Sequence, residues 1–475
     1  MKIKVDSEIT IFQPTKEIFD YCKNELTIPN PDIQKKKAMG FWTGNLPKEI
    51  RMYTMFVEEY YRGVVIPIGC IDDIWKIHPI KEDYIIDFGE HKRKKFPENK
   101  ITPYPYQEKA IQAMIKAKRG ILNARCGSGK SIMALEIIRR IGYKALIICH
   151  TKELLNQFKD YLVNDLGMQK GDYGIIASGK VEIGNLVTIA LRQTIVNVDL
   201  FKHRYEWGTI VVDECHNIAG NVTYVSQYQK ILSHLAAEYR FGLSATAFRA
   251  DGLTKCMYAL TNKIKYIIEE SEIADKIIKA EIQPICTNYE IPDYALNVDG
   301  TLDYSKIPTA LAEDKDRNKL ILNLLKENKD NYCLVLSDRL TGLRQLHEQL
   351  GEGLLIDGSQ TTKAAKKERE EAIEKMRNKE EHYLFATLQL AREGLDIRPL
   401  NRLFLIAPSK NKGVLIQAVG RIERIDKGKK TPIVYDFVDK DIYYQKAFKS
   451  RKTIYKKNGN KILNIFDTTI DNSLF

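Results

Sequence analysis

Apolar residues occur in short uninterrupted runs that alternate with longer segments of helical periodicity across most of the chain. The runs predict buried strands at 121–124, 145–149, 210–213, 333–336, 383–386, 403–406 and 433–435. Helical periodicity follows the first two runs, at 132–141 and 153–162. Strands that are apolar on both faces and alternate with helices indicate a parallel sheet covered by helices on both sides. The alternation weakens between 262 and 312, so the pattern predicts two such α/β domains in tandem.

The first 100 residues have a different pattern, with short apolar runs such as 64–68 among mixed polar segments. They predict a small α+β domain that ends in the basic stretch 91–95, and we expect this domain to bind DNA. A basic helix is expected near the C-terminus, within 446–461. The predicted organisation is an accessory domain at 1–100, a first α/β domain at 101–275, a linker at 276–312 and a second α/β domain at 313–475.

Composition places the chain among soluble globular proteins. Its 475 residues suffice for roughly two to four domains, and its hydrophobic and charged fractions of 44% and 29% are ordinary. Every apolar run falls short of the about 20 residues that span a bilayer, and the N-terminus precedes no apolar signal core. We therefore expect a cytoplasmic protein without membrane contact, in the host cytoplasm if the protein is viral.

Charge and cysteine content narrow the class of partner and cofactor. A formal net charge of +12 favours partners with a phosphate backbone. The eight cysteines include no C-x-x-C pair, which argues against a zinc ribbon or an iron–sulfur cluster.

The segment 124–131 has the composition of a phosphate-binding loop, and it lies between a predicted strand and a predicted helix. Backbone N–H groups in such a loop approach phosphates closely, and the helix N-terminus favours negative charge. We expect Lys130 to reach the β- and γ-phosphates of ATP and Ser131 to bind Mg²⁺. Ala124 stands where the usual pattern has its first glycine. The predicted nucleotide contacts of the loop are Ala124, Cys126, Gly127, Ser128, Gly129, Lys130 and Ser131.

Two adjacent acids, Asp213 and Glu214, follow the apolar run 210–212. The carboxyl end of a strand in the same sheet would bring them beside the phosphate loop. We expect Asp213 to hold Mg²⁺, directly or through water, and Glu214 to orient and deprotonate the attacking water. Without the loop, such a pair would usually be only a solvated strand end.

Asp213-Glu214-Cys215-His216 resembles the D-E-x-H box of the superfamily 2 helicases, and the other motifs of that superfamily occur in order. The resemblance implies two RecA-like domains that bind ATP between them, with Gln107 of the upstream glutamine motif reading the adenine. These motifs are the glutamine motif at 104–107, the phosphate loop at 124–131, Ia at 150–157, Ib at 190–194, III at 242–247, IV at 335–337, V at 386–396 and VI at 417–424.

Motifs V and VI are expected to complete the catalytic centre. Gln417, Arg421 and Arg424 have the spacing i, i+4, i+7 of one helix face, which can meet the γ-phosphate. Arginine supplies a fixed positive charge where negative charge develops in the transition state. Gly394 and Asp396 of motif V are further predicted nucleotide contacts. ATP binding would close the two domains and hydrolysis would release them, which moves their nucleic-acid contacts stepwise.

The resemblance also predicts contacts with the sugar-phosphate backbone. Hydroxyl, amide and cationic side chains suit contacts that are independent of base sequence. The predicted residues are Thr151, Lys152, Arg192, Gln193, Thr194, Ser337 and Thr387.

The D-E-C-H box, residues 248–252 and the form of motif VI look most like the XPB-like repair helicases and the phage UvsW-like branch-migration helicases. This likeness implies an ATP-dependent helicase or translocase on duplex, forked or branched DNA, with single-stranded DNA as a further ligand, in recombination, repair or replication. RNA-directed members usually carry D-E-A-D and a different motif VI, which favours DNA over RNA.

Four possibilities stay open at this stage. An ATP-gated clamp or remodeller that does not unwind would need the same ATP site, and so would an RNA helicase. The E-x-K sequence at 90–92 is a fragment of a nuclease motif that is common by chance. Cations in the C-terminal segment, at Arg451, Lys452, Lys456 and Lys457, are candidates for DNA contact on an otherwise solvated helix.

Overall fold

The computed structural model of the chain divides into two compact units, unit 1 from Met1 to Glu272 and unit 2 from Ile273 to Phe475. Within the described part of the chain, every helix is too short or too polar to span a lipid bilayer. The residues that the structure describes are 1–38, 42–44, 46–58, 61–98, 100–125, 127–219, 221–245, 253–269, 271–273, 277–297, 299–357, 363–388, 390, 395, 397–407, 412–464 and 466–467.

Unit 1 begins with the predicted small α+β part. Its strands are β1 (Lys2–Val5), β2 (Glu8–Phe12), β3 (Thr27–Pro29), β4 (Glu49–Arg51), β5 (Thr54–Glu58), β6 (Tyr61–Pro67) and β7 (Tyr84–Ile86). Its helices are α1 (Lys16–Glu25), α2 (Pro31–Ala38) and α3 (Ile71–Ile77). The main sheet has the order β5-β6-β2-β1-β7, and β3 pairs separately with β4. Alternate residues of β1 and β2 are buried, so one face of this sheet packs on the core.

The rest of unit 1 is an eight-stranded sheet with helices on both sides. Its strands are β8 (Arg119–Asn123), β9 (Ala145–Cys149), β10 (Tyr173–Ala177), β11 (Lys180–Val181), β12 (Val187–Leu191), β13 (Thr209–Val212), β14 (Tyr239–Ser244) and β15 (Ile264–Ile267). Its helices are α4 (Pro105–Ala117), α5 (Lys130–Ile141), α6 (Lys152–Asn164), α7 (Arg192–Ile195), α8 (Val222–Leu232) and α9 (Thr254–Thr261). The order is β11-β10-β12-β9-β13-β14-β8-β15.

The central strands of this sheet are buried along their whole length, because helices cover both faces. Every residue of β9, β12 and β13 is buried. The strands β13, β14 and β8 are adjacent and parallel, so their carboxyl ends lie at one edge of the sheet. That edge is the usual ligand-binding position in open α/β sheets. The segments that follow β8 and β13, and the last residue of β14, therefore lie close together.

The α+β part is fixed to the sheet of unit 1 through α3 and the residues just before it. Asp73 pairs with Lys263 at 2.7 Å, and Asp72 accepts a hydrogen bond from the amide of Asn262 at 3.0 Å. A Cβ atom on Gly69 would lie only 2.4 Å from the carbonyl oxygen of Ala259. Backbone packing this close leaves no room for a side chain, so the two parts form one compact body.

Unit 2 is a seven-stranded parallel sheet of the same class. Its strands are β16 (Glu281–Thr287), β17 (Cys333–Ser337), β18 (Leu354–Ile356), β19 (Tyr383–Thr387), β20 (Arg402–Leu405), β21 (Ile433–Asp439) and β22 (Phe466–Asp467). Its helices are α10 (Ile307–Glu313), α11 (Lys315–Glu327), α12 (Leu340–Leu350), α13 (Lys363–Arg377), α14 (Lys412–Ile422) and α15 (Ile442–Lys457). The order is β18-β19-β17-β20-β21-β16-β22. The predicted class, two tandem parallel-sheet domains behind a small α+β part, is confirmed.

The segment predicted as a linker, 276–312, is instead largely part of unit 2. It contains β16, which pairs in parallel with β21 over seven residues, and α10, whose apolar side is buried. The alternation of strands and helices weakens there because β16 is followed by irregular chain before α10 begins.

Candidate nucleotide site and nucleic-acid residues

The phosphate loop connects β8 to α5 at the carboxyl edge of the sheet in unit 1. Gly127 and Gly129 have φ angles of +84° and +79°, in the left-handed region that glycine adopts readily. Ala124 is buried, and its N–H donates to the carbonyl of Ser244 at 2.9 Å. Since Ala124 is not among the described residues with positive φ, its methyl group is compatible with the backbone. The departure from the usual first glycine therefore does not prevent the loop from forming.

Gln107 and Tyr106 hold this loop from α4. The Gln107 amide nitrogen donates to the carbonyl of Ser128 at 2.9 Å, and the Tyr106 hydroxyl donates to the same oxygen at 3.1 Å. The Gln107 amide oxygen accepts from the N–H of Tyr104 at 2.9 Å, which caps α4. A Cβ on Gly129 would lie 2.4 Å from the Gln107 nitrogen. Gln107 thus contacts the loop backbone itself, and its predicted role in reading adenine stays a prediction.

The predicted catalytic acids lie beside the loop lysine. The Lys130 ammonium is 3.5 Å from Glu214 Oε1 and donates to the carbonyl of Ala124 at 3.2 Å. Asp213 directly follows β13 and is 2% exposed. Glu214 has a φ angle of +44°, unusual for a residue with a side chain. Such strained backbone at a strand end is typical of functional sites. The structure therefore brings together Lys130, Asp213 and Glu214, as predicted.

The electrostatics of this group fit a divalent cation. Burial and the neighbouring Glu214 carboxylate raise the pKa of Asp213 above its ordinary value, and Lys130 opposes this shift. Two adjacent carboxylates at a buried strand end repel each other, and a cation would relieve that repulsion. Mg²⁺ is usually held by one or two carboxylates together with phosphates, rather than by a protein-only cage. Asp213 and the half-buried Ser131 thus fit Mg²⁺ when it arrives with a nucleotide.

A histidine links the acid pair to the end of the adjacent strand. His216 Nδ1 lies 3.1 Å from the Ser244 hydroxyl and 3.2 Å from Glu214 Oε2. Nδ1 is within hydrogen-bond distance of the Ser244 hydroxyl, and the Glu214 carboxylate approaches the same ring nitrogen. A change in the position of Glu214 therefore alters the surroundings of His216. The sequence motifs included His216, Ser244 and Tyr106, but none of the three was assigned to the site. The signal for His216 was its place in the D-E-x-H box.

Motif VI in unit 2 departs from the predicted geometry. Gln417 and Arg421 lie one helical turn apart on α14 and are buried, at 4% and 7% exposed. The helix ends at Ile422, however, so Arg424 does not share its face. The Arg424 backbone instead forms an isolated bridge with Ile277. The prediction of a single helix face holding all three side chains is wrong, because the helix is two residues too short.

The predicted backbone contacts of unit 1 fall into two groups. Lys152 and Gln193 are exposed at the first turns of α6 and α7, and Thr194 is half-buried. The Thr151 hydroxyl caps α6 by accepting from the N–H of Leu154 at 3.4 Å.

Arg192 is not a surface cation. It is 6% exposed, and its guanidinium lies 4.1 Å from the ring centroid of Tyr224. The prediction of Arg192 as a surface contact is therefore not supported by its burial.

In unit 2, the predicted contacts Ser337 and Thr387 end the neighbouring strands β17 and β19. Ser337 is 5% exposed, and its hydroxyl accepts from the N–H of Arg339 at 3.2 Å. Thr387 is half-buried. The predicted nucleotide contacts Cys126, Gly394 and Asp396 lie outside the described residues.

Comparison with protein families identifies both units. The model "Type III restriction enzyme, res subunit" matches residues 100–249, and the model "Helicase conserved C-terminal domain" matches residues 316–426. A protein of Escherichia phage T5 named as a helicase, D10, is 24% identical over 98% of this chain and 96% of its own length. The DNA 3'-5' translocase XPB2 of Sulfurisphaera tokodaii is 26% identical over 72% of this chain and 82% of its own. The chain is a superfamily 2 helicase.

This helicase matches further proteins with other names. A protein of Acanthamoeba polyphaga mimivirus that is named as an ATP-dependent RNA helicase, L396, is 29% identical over 76% of the chain and 69% of its own length. The structure of S. cerevisiae Dbp5 bound to RNA and ADP BeF3 matches with a TM-score of 0.55 and 15% sequence identity. The match covers 77% of this chain and 90% of the Dbp5 chain. T4 UvsW has a TM-score of 0.41 and 18% identity over 98% of this chain and 99% of that one.

The predicted family is confirmed, and the XPB2 relative agrees with the predicted XPB/UvsW-like group. The likeness to Dbp5 confirms two tandem RecA-like domains. The helicase is accordingly an ATP-hydrolysing enzyme that acts on nucleic acid.

Proposed function

We propose that the helicase uses ATP hydrolysis to move along DNA, on duplex, forked or branched substrates, in recombination, repair or replication. The main support for ATP hydrolysis is that Lys130, Asp213 and Glu214 lie together at one sheet edge. The lysine nitrogen is 3.5 Å from Glu214 Oε1. The choice of DNA is supported by the name of the XPB2 relative, a DNA 3'-5' translocase, and by the net charge of +12.

Each residue of the loop and the acid pair has a distinct role in the proposed hydrolysis. Backbone N–H groups of the loop bind the phosphates, and the Lys130 ammonium moves from Glu214 to the β- and γ-phosphates. Loss of that ion pair frees the Glu214 carboxylate to orient a water and accept its proton. Asp213 and Ser131 would hold Mg²⁺, which supplies positive charge to the phosphate oxygens. Arg421 and Arg424 stay predictions as cations that stabilise the transition state.

Two contacts of the site suggest how nucleotide state is transmitted within unit 1. Gln107 and Tyr106 share the carbonyl of Ser128, so a shift of the loop changes the hydrogen bonds at the start of α4. His216 lies between Glu214 and Ser244, so a shift of Glu214 changes the hydrogen bond at the end of β14. The His216 contact involves Glu214 itself, so it would respond when Lys130 leaves Glu214. Each of the two contacts provides a route from the nucleotide to a neighbouring secondary-structure element.

The test combines strand displacement, branch migration and ATP hydrolysis on forked and four-way DNA, with the Glu214→Gln variant as the inactive form. Glutamine keeps the shape of the side chain but cannot accept the proton, so kcat for ATP should fall by about 10² to 10⁴. ATP and DNA binding should be retained. Glu182→Gln is the matched control, since Glu182 is exposed on the same unit, and it should retain wild-type rates.

The alternatives give different results in the same assays. A clamp would hydrolyse ATP and bind DNA but displace no strand and migrate no junction. An RNA helicase would displace strands from RNA duplexes and leave DNA forks intact. RNA duplexes are included because the mimivirus relative is named as an RNA helicase. Appreciable hydrolysis by the Glu214→Gln variant would overturn the role of Glu214 as the base.

A further inference from the structure

The basic strap, defined as residues 91–95, crosses the surface of unit 1 between its α+β part and its eight-stranded sheet. The N–H of Lys94 donates to the carbonyl of Gly142 at 2.7 Å. The His91 ring lies 5.5 Å from the Tyr143 ring, and a Cβ on Gly208 would lie 2.8 Å from His91 Cγ. Directly after the strap, Phe96 is buried at 8% exposed. The strap is therefore held at both ends and in its middle.

The four residues at 92–95, three lysines and one arginine, all have exposed side chains. Within the described part of the chain, none of the four forms an ion pair. Four adjacent cations repel one another, and the fixed backbone limits how far their charges can separate. Such a run concentrates positive potential at one place on the surface. A polyanion that releases counterions on binding would relieve the repulsion.

The position of the strap separates it from the nucleotide edge. Gly142 ends α5, and Gly208 immediately precedes β13, so the strap lies at the amino end of the parallel strands. Asp213 follows the carboxyl end of β13. A strand of four residues is about 13 Å long, so the strap and the acid pair are at opposite edges of the sheet. Nucleic acid bound at the carboxyl edge would not reach the strap with the same phosphates.

A structural role for these cations is the simplest competing explanation. Positive side chains near a helix C-terminus stabilise the helix through its dipole. The last turn of α5 already carries Arg139 and Arg140, which pair with Glu136. The strap would then add stability but no ligand affinity. These two explanations predict different measurements.

We propose that the basic strap binds the phosphate backbone of a second arm of branched DNA, while the carboxyl edge of the sheet engages the arm along which the helicase moves. This rests on the proposed function for the choice of DNA. Each of the four cations can neutralise one phosphate. Each such contact should contribute about −0.9 to the slope of log affinity against log salt concentration.

The test replaces residues 92–95 by glutamine in the full-length chain and measures binding to a four-way junction and to a short duplex across a salt series. Junction affinity should fall at least about tenfold, and the salt slope should become shallower by about 2 to 4. ATPase kcat with saturating short duplex should stay within about twofold of wild type, because this edge is remote from the catalytic group. The matched control carries glutamine at Lys116, Lys170, Lys180 and Lys230, which are exposed on the same unit.

The control should bind the junction like wild type, and equal losses in both variants would overturn the proposal. An unchanged junction slope in a strap variant that melts at the wild-type temperature would also overturn it. The Lys92→Gln/Lys95→Gln double variant, which removes two of the four charges, should show about half of the slope change. Strap-dependent junction binding without any DNA-stimulated ATPase would refute the proposed function alone. DNA-stimulated ATPase with strap-independent binding would refute only the strap.

Discussion

Arg451 in the basic C-terminal helix α15 is buried, so its role is structural. It is 1% exposed, and its Nε and Nη2 donate to the two carboxylate oxygens of Asp436 at 2.9 and 2.7 Å. The Tyr455 hydroxyl donates to the same carboxylate at 2.7 Å. The neighbouring Lys452 is exposed. Arg451 is therefore withdrawn from the candidate DNA contacts of this helix, and charge reversal there would place two carboxylates together in the core.

Replacing Arg451 by methionine keeps most of the side-chain volume but leaves Asp436 buried without its cation. Removal of one partner of a buried ion pair destabilises by about 3–5 kcal/mol. Since domains have about 5–15 kcal/mol of stability in total, this is a large fraction of what holds unit 2 together. The Arg451→Met/Asp436→Asn double variant removes both charges and leaves Tyr455 an acceptor. It should be less destabilised than the sum of the single variants by about 1–3 kcal/mol.

Urea unfolding followed by far-ultraviolet circular dichroism measures these differences, fitted as separate transitions if the two units unfold separately. Lys452→Met on the same helix is the control, and it should change stability by less than about 0.5 kcal/mol. If Arg451→Met unfolds at the wild-type urea concentration but binds DNA more weakly, Arg451 is a ligand contact and the reasoning is refuted.

Three further perturbations test other parts of the structure. Ser244→Ala removes the hydroxyl beside His216, and a hydrogen bond of about 0.5–1.5 kcal/mol implies a roughly 2- to 12-fold lower ATPase kcat with unchanged nucleotide affinity; an unaltered kcat would refute the link. Gly69→Ala places a methyl 2.4 Å from backbone oxygens and should lower the free energy of unfolding of unit 1 by about 1–3 kcal/mol or more; wild-type urea unfolding would contradict the packing. Burial, with Asp6 nearby, raises the pKa of Glu8 to about 7, so the ionised side chain destabilises the folded state increasingly as pH rises from the unfolded-state pKa through 7. Glu8→Gln should therefore stabilise the protein at pH 8 by on the order of 1–3 kcal/mol and much less at pH 4.5, and equal effects at both pH values would refute this.

The sequence predicted the parts of the fold that depend on local pattern. The run at 145–149 became β9 with the same bounds, because a short strand apolar on both faces has few alternatives. The phosphate loop and acid pair were also predictable, since their residue types and strand-end positions follow from phosphate chemistry. Their adjacency required only that β8 and β13 belong to one parallel sheet.

Contacts that depend on tertiary packing could not be predicted from the sequence. Arg192 is buried against Tyr224, and Arg451 is buried against Asp436, so each contact joins residues from different elements. From the sequence alone, a cationic side chain is expected to be exposed. The end of α14 at Ile422 excluded Arg424 from the helix face, although the spacing favoured it. The bond from Gln107 to the phosphate loop likewise depends on how α4 packs.

The central claim is that ATP hydrolysis at Lys130, Asp213 and Glu214 serves movement on DNA. The most direct measurement is ATPase kcat with no nucleic acid and with saturating single-stranded, duplex, forked and four-way DNA, and with duplex RNA. We predict that duplex or branched DNA raises kcat at least about tenfold, equivalent to about 1.4 kcal/mol in the barrier, and that RNA does so much less. Equal stimulation by RNA, or none by any DNA, would contradict the account.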